Sequence, residues 1–471
     1  MRKKFISNLL VAFLSQGVSL AMSLLMSLLL PKLLGVNQYS YSQLFVFYIG
    51  YVGFFHFGVN DGIYLRLGGK DFNTLDKRKL GTEYKLFILF ELLIGLLVSA
   101  IGVAVSDDPS RKIIFIVAGV YLILNNLTLY LGYIFQAVNE TKWFSISVMI
   151  DRIFVIVFIT LLLLFKQDSY LPFIITYTVS KAIALLYCTY KGRSIVFSKL
   201  SNIRHAISDM WADASVGIKL TISNIVAMLV LGVGRMIIDK IWGIESFGKV
   251  SLSFSLTNFF LVFIQQVSMV MFPALRKIEG EKQKDIFVTL RSGINMIAPV
   301  ILVLYIPMQY LLGLWLPQYQ ESLYYLAFLL PICIFDGKMQ MLFTTYFKVL
   351  RKEKLLMYIN MSCLAISAIL CSISGFVVHN MTAVVASMVI AVISRSIISD
   401  VILAKEFGTR LGKEFIFELL LIVVYISIVS ILSSWTAFAL VALAYLIYLV
   451  VNRKEVMALI DNIRHGRLMK S

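Results

Sequence analysis

The chain has 471 residues, of which 59% are hydrophobic and 15% charged, well below the roughly 25% charged of a soluble domain. That balance excludes a water-soluble enzyme of this length, which could not clothe its core in polar surface. The formal net charge of +17 reads, in so apolar a chain, as a basic face against anionic lipid and not as a nucleic-acid surface.

Apolar runs of about 20 residues, each long enough to cross about 30 Å of hydrocarbon as a helix, recur from end to end. They are continuous and lack a period of two, so helices are expected and not a barrel. Hydropathy predicts an all-α integral membrane protein of about 14 transmembrane helices, near 8–34, 41–64, 84–105, 113–136, 143–166, 169–190, 215–242, 247–274, 292–315, 322–347, 355–378, 381–404, 414–433 and 436–451. The basic start runs into an apolar stretch with no A-x-A site, so it is read as a retained first helix.

Helix one carries a polar stripe of Asn8, Ser15, Ser19, Ser23 and Ser27, and helix two ends in Gly58-x-x-x-Gly62, a close-packing pattern. The 191–213 loop places Val196, Leu200, Ile203, Ile207 and Met210 at helical spacing among Lys199, Arg204 and His205, which predicts an amphipathic linker on the inner leaflet. A second such helix is expected over Val456–Leu468. On helix eight Asn258, Gln265 and Gln266 interrupt an apolar run, and on helix twelve Ser387, Ser394, Arg395 and Ser399 share a face. Such stripes line an aqueous path or bond helix to helix.

With the N-terminus in the cytoplasm, the loops at 65–85, 191–213, 276–291, 348–354 and 405–413 and both termini carry about 30 of the 43 Lys and Arg residues, the asymmetry of the positive-inside rule. An internal echo at an offset of 208 pairs PKLLGVNQYSYSQLF from Pro31 with DKIWGIESFGKVSLS from Asp239, aligning Lys32 with Lys240, Gly35 with Gly243 and Tyr39 with Phe247. Ser15-Gln16 meets Ser223-Asn224 at the same offset. Six intervening helices make this a parallel repeat. The expected organisation is a six-helix lobe over 1–190, the linker over 191–213, a second six-helix lobe over 214–405, two appended helices over 406–451 and a tail over 452–471.

Charges within spans cost about 2.5–3.5 kcal/mol at mid-helix and normally face a cavity or a partner. The cations are Arg152, Lys181, Lys219, Arg235, Lys338 and Arg395; the acids include Glu91, Asp61, Asp151, Asp239, Asp336, Asp400 and Glu418. If the cations share one cleft it is strongly positive and suits an anion with several oxygens. Alternatively Arg235 pairs with Asp239 at i,i+4, and Arg152 and Lys338 have Asp151 and Asp336 as near neighbours in sequence. Lys219 lies where a side chain can snorkel. No Walker, GxGxxG, HExxH or CxxC motif is present, the cysteines Cys188, Cys333, Cys363 and Cys371 lie in apolar spans, and no metal or cofactor is expected.

The polar first helix followed by LLLPKLLGVNQYSYSQLFVF, then GVNDG, DKIWGIESFGKVSLSFSLTN and MFPAL at 271–275, resembles the polysaccharide-export flippases. These include the Wzx-type O-antigen flippases of the multidrug/oligosaccharidyl-lipid/polysaccharide (MOP) exporter superfamily. The resemblance implies two lobes around an alternating-access cavity in a bacterial cytoplasmic membrane, and a polyprenyl-diphosphate-linked oligosaccharide carried from inner to outer leaflet for O-antigen or capsule synthesis. Polymerase and chain-length proteins of such a pathway are the implied partners. The cations Arg152, Lys181, Lys338, Arg395, Arg235 and Lys219 would then meet the diphosphate. Helix one lacks the acids used by the drug-exporting branch, so ion coupling falls to Glu91, Asp61 or Asp336 as candidates. The alternatives are a multidrug cation exporter of the same fold, disfavoured by these cations, and a membrane glycosyltransferase or polymerase, disfavoured by short external loops.

Overall fold

The structure, a computed structural model, describes residues 2–275, 281–409, 414–432, 435–453 and 455–457, with side chains left aside over 2–10, at 12 and over 263–282. The side chains of Asn8, Gln265, Gln266 and the 271–275 motif, and all but the first two residues of the expected tail helix, lie outside the described residues. Among the described residues there is helix and no strand, as a chain that must satisfy its backbone inside hydrocarbon requires. Two compact units divide the chain, residues 1–225 and 226–471.

In the first unit α1 (Arg2–Leu24) runs through a π-turn at Leu25–Leu29 into a short Leu30–Leu33 segment. Gly35, with ψ 158°, ends that run and caps α2 (Val36–Gly50). The second helix is not the straight 41–64 rod that hydropathy suggests. A 3-10 turn at Val52–His56 is followed by Phe57 (φ 47°) and Gly58 (φ 87°), both left-handed. The chain there bends by 56° into α3 (Val59–Leu67). The spans α4 (Lys77–Val105), α5 (Pro109–Ala137), α6 (Thr141–Leu164) and α7 (Tyr170–Lys191) follow. Asp76, Asp108 and Ser169 cap α4, α5 and α7 with side-chain oxygens, and Pro109 fills the first turn of α5, where no amide is needed.

The long helix α8 (Ile203–Leu275) breaks at Gly243 (φ 80°, ψ −177°), a conformation open to glycine. Gly35 and Gly243, aligned by the sequence echo, are thus both the residue at which one helix ends and the next begins. Their companions Tyr39 and Phe247 are both fully buried. The expected separate linker helix is absent in that form: after a short turn at Arg193–Val196, residues from Ile203 onward run unbroken into the span. Its start shows Ile203, Ile207 and Trp211 to the surroundings and turns Asp213 inward.

The second unit continues with α9 (Glu281–Ile297), α10 (Tyr305–Trp315), α11 (Gln320–Leu329) and α12 (Pro331–Lys338). The helix expected over 322–347 is bent by 44° where Pro331 enters, because proline cannot donate to the preceding turn. It is relaxed again by a π-turn at Met339–Phe343 before Thr344–Val349. Then come α13 (Glu353–Ser372), α14 (Met381–Glu406), α15 (Glu414–Ile431) and α16 (Trp435–Val451). Among the described residues ten helices can cross a membrane by length and composition, or twelve with each bent pair as one span; the chain is a multi-pass membrane protein. A count of fourteen requires in addition that α8 be two spans divided at Gly243 and that the 17-residue α16 cross as well.

Helices in lipid gain little from hydrophobic burial against each other, so close backbone approach matters. Gly58 and Gly62 supply it. A Cβ at Gly62 would overlap the Asp213 backbone, one at Gly58 would overlap Gly217 and Ile218, and one at Gly217 would overlap Gly58. This glycine seam joins α3 to the first part of α8. Gly62→Leu is therefore expected to lower stability by about 1–3 kcal/mol or more, read as a lower melting temperature in detergent. Gly17→Ala on α1, where a Cβ meets nothing within 4 Å, should be neutral or gain up to about 1 kcal/mol. Equal melting temperatures for the two variants would contradict the seam.

Candidate functional site

Buried charge in lipid needs a counter-charge or a task, and the described side chains sort accordingly. In the first unit Asp151 and Arg152 are consecutive on α6 and point in directions about 100° apart. Lys181 reaches across from α7 to put Nζ 2.7 Å from Asp151 Oδ2, and the Ser180 hydroxyl donates to Asp151 Oδ1 at 2.8 Å. The Lys181 ammonium also lies 5.7 Å from the Tyr121 ring centroid, a cation–π distance. Arg152 directs Nη1 to Met22 Sδ at 3.4 Å. Among the described residues it forms no ion pair within 4 Å. Tyr121 and Tyr177 both pack edge-on against Phe45 beside these groups. The result is a half-buried nest holding two cations against one carboxylate.

The second unit gathers charge from helices far apart in sequence. Lys338, at the end of α12, sits 2.6 and 2.5 Å from the two carboxylate oxygens of Glu418 on α15. Arg395 on α14 pairs with Asp336 on α12, whose other oxygen accepts from Gln340. Arg291 on α9 lies 3.4 Å from Asp400 and 4.0 Å from Glu414. Three cations thus meet four carboxylates. Counting cations alone overstated the charge here, because each buried cation has drawn an acid from another helix to offset desolvation. Arg235 on α8 donates through Nη2 to Ser251 Oγ at 2.8 Å, and its guanidinium lies 5.0 and 5.4 Å from the ring centroids of Phe247 and Phe254.

Of the six cations singled out in sequence, Arg152 and Lys181 are brought together, and Lys338 and Arg395 are brought together through α12. Lys219 is exposed and joins neither group. Of the candidate coupling acids, Asp336 is the partner of Arg395. Asp61 accepts from Thr221 Oγ1 at 2.6 Å and lies 3.9 Å from His56 Nε2. Glu91 accepts from Asn126 Nδ2 at 3.0 Å. Among the described residues no group of three His, Cys, Asp or Glu is placed to hold a metal ion.

Sequence reasoning missed an ion network at the α3–α4–α8 junction. Arg66 makes a two-pronged contact with Glu83 at 3.1 and 2.5 Å and lies 2.9 Å from Asp213, while Lys79 lies 2.6 Å from Asp209. The signal available was the acids Glu83, Asp209 and Asp213 inside two predominantly basic connections, with Glu83 and Asp213 each within two residues of an apolar span.

Comparison with protein-family models and with curated proteins gives no match. Among solved structures, the chain is similar to the lipid II flippase MurJ in an inward closed conformation (TM-score 0.69, 14% identity, 96% of this chain and 100% of that one). It is also similar to an inward-facing multidrug resistance MATE-family transporter of the MOP superfamily (TM-score 0.60, 12% identity, 86% of this chain and 98% of that one). A third likeness is to a MOP-superfamily transporter from Pyrococcus furiosus described as having a binding pocket of reverse polarity (TM-score 0.51, 11% identity, 86% of this chain and 96% of that one). The chain has the fold of the MOP-superfamily transporters.

Breaking one half of a buried pair should cost more than removing both. Lys338→Met strands the Glu418 carboxylate and is expected to destabilise by about 3–5 kcal/mol. Lys338→Met combined with Glu418→Leu should recover most of that. Thermal unfolding of the single and double variants measures the difference; a double variant no better than the single would show that the two side chains do not interact.

Proposed function

We propose that this chain is an alternating-access flippase that carries polyprenyl-diphosphate-linked oligosaccharides from the inner to the outer leaflet of a bacterial cytoplasmic membrane. It would lie with both termini in the cytoplasm and serve surface-polysaccharide synthesis, beside polymerase and chain-length proteins. One observation carries this reading over its alternatives. The likeness to the lipid II flippase extends over 96% of the chain, against 86% for the MATE-family transporter.

The chemistry supports the same class of cargo. A diphosphate cannot enter hydrocarbon bare. Arg152 offers a guanidinium without a carboxylate in contact, and Lys181, Lys338 and Arg395 offer cations already held by acids. Exchange of carboxylate for phosphate oxygen keeps each cation paired, and the displaced carboxylate would have to take up a proton or water so as not to stand as an unpaired buried charge, which keeps the net gain per contact small and release possible. Asp336 would serve as the displaced counter-ion of Arg395.

A second reading, export of an organic cation, draws on the buried cluster of the second unit, where Asp336, Asp400, Glu414 and Glu418 outnumber Arg291, Lys338 and Arg395. Complementation of surface polysaccharide in a flippase-deleted bacterium separates the two. Arg152→Gln should lower export about tenfold or more, the worth of one charge-assisted hydrogen bond of about 1.5–3 kcal/mol, with protein level unchanged. Arg152→Lys should keep part of it. Full export in Arg152→Gln, or no rescue by the unaltered protein alongside resistance to cationic dyes, would favour the second reading. Orientation is tested separately: a cysteine at Ser201 should resist an impermeant thiol reagent added outside intact cells.

A further inference from the structure

Seven acids are buried among the described residues: Glu83, Glu91, Asp151, Asp213, Asp336, Asp400 and Glu418. Six have a cationic partner, in Arg66, Lys181, Arg395, Arg291 or Lys338. Glu91 has none. It is the central residue of the 29-residue helix α4, about 21 Å from either end at 1.5 Å per residue, and it is fully buried.

Two buried acceptors in this cluster lack a donor. Asn126 Nδ2 donates to Glu91 Oε2 at 3.0 Å and to the Val52 carbonyl at 3.1 Å. Asn60 Nδ2 donates to the Asn126 carbonyl at 3.2 Å. Glu91 Oε1 and Asn60 Oδ1 are buried with no hydrogen-bond partner. A proton on Glu91 turns one surplus acceptor into the donor that this cluster lacks and removes an uncompensated charge from the middle of a span.

The titratable groups on the adjoining elements are otherwise engaged. His56, on the turn before α3, accepts from the Gly58 amide through Nδ1 at 3.0 Å and faces Asp61 through Nε2 at 3.9 Å. Asp61 on α3 is bonded to Thr221. Tyr130 on α5 directs its hydroxyl to Glu83, 3.4 Å away. Asn60 is followed at once by Asp61, so polar groups continue from the buried cluster to the less buried bend.

We propose that Glu91 is a proton-binding site which takes up a proton as a neutral carboxylic acid and gives it back as a carboxylate. The ligand is a proton from water, and no covalent bond other than O–H forms or breaks. The use of that proton to drive transport rests on the reading under Proposed function; the site does not.

Infrared difference spectroscopy of the purified full-length protein in lipid bilayers, between acid and alkaline buffers, tests it. The C=O stretch of a protonated carboxyl should be present in acid, lost in alkali, and missing from the difference spectrum of Glu91→Gln. Glu91→Asp, which keeps an acid on a shorter stem, should return the band at a shifted frequency and covers a failure of the glutamine variant to fold. A band that persists at every pH marks a permanently protonated structural acid and overturns the proposal. So does a Glu91→Gln spectrum identical to that of the unaltered protein. Replacing choline by sodium at constant acid pH should leave the band unchanged; bleaching by sodium would reassign the cluster to a monovalent metal cation. A pH-dependent Glu91 band in a protein that exports no diphosphate-linked lipid would overturn the flippase reading alone.

Discussion

An ion in hydrocarbon has no water to stabilise it, and the cost of leaving it unpaired exceeds what most single contacts can return. That constraint organises the polar interior of this protein. Asp151 is met by Lys181, Glu418 by Lys338, Asp336 by Arg395, Asp400 by Arg291 and Glu83 by Arg66. Each pair joins two different helices, so the charges fix which helices are neighbours in a medium where burial of apolar surface decides little. The Gly58, Gly62 and Gly217 seam does the same by shape, and the Arg66 network lies beside it on the same pair of helices.

If the chain is the flippase proposed above, the same pairs bear on transport. A cation held by a carboxylate is not lost to a phosphate; it can change partners, and the two pairings have similar chemistry and similar desolvation. A cavity of unpaired cations would bind a diphosphate too tightly to release it and would be costly to fold when empty. The arrangement around Asp151, with Lys181 in contact and Arg152 reaching Met22 instead, offers one cation of each kind within a single nest. Lysine adapts to a moving partner through its flexible stem, while the planar guanidinium can grip two oxygens at once.

Much of this was legible in the chain itself. The spans follow from apolar runs, and the Gly35–Gly243 correspondence marks in both halves the point where a helix breaks. The identity of the partners was not legible. Sequence proximity suggested Asp336 for Lys338, but Lys338 takes Glu418, 80 positions away, and Asp336 takes Arg395, 59 positions away. Adjacent or i,i+2 residues on a helix diverge in direction, so only tertiary packing selects the acid. Glu83, Asp209 and Asp213 were absorbed into basic loops because orientation was read from Lys and Arg alone. The bend at Phe57-Gly58 was hidden for a similar reason: hydropathy records that a stretch is apolar and is blind to two successive left-handed residues within it.

The central claim is that the cargo is an anionic lipid-linked sugar. Reconstitution of the purified protein in vesicles containing a polyprenyl-diphosphate oligosaccharide tests it most directly, with an added lectin reporting how much sugar faces the outside. The account predicts that lectin-accessible sugar rises faster with the protein than without it, and that Arg152→Gln slows the rise. Sugar that stays at the rate of empty vesicles, while an organic cation such as ethidium is carried across by the same preparation, would contradict it.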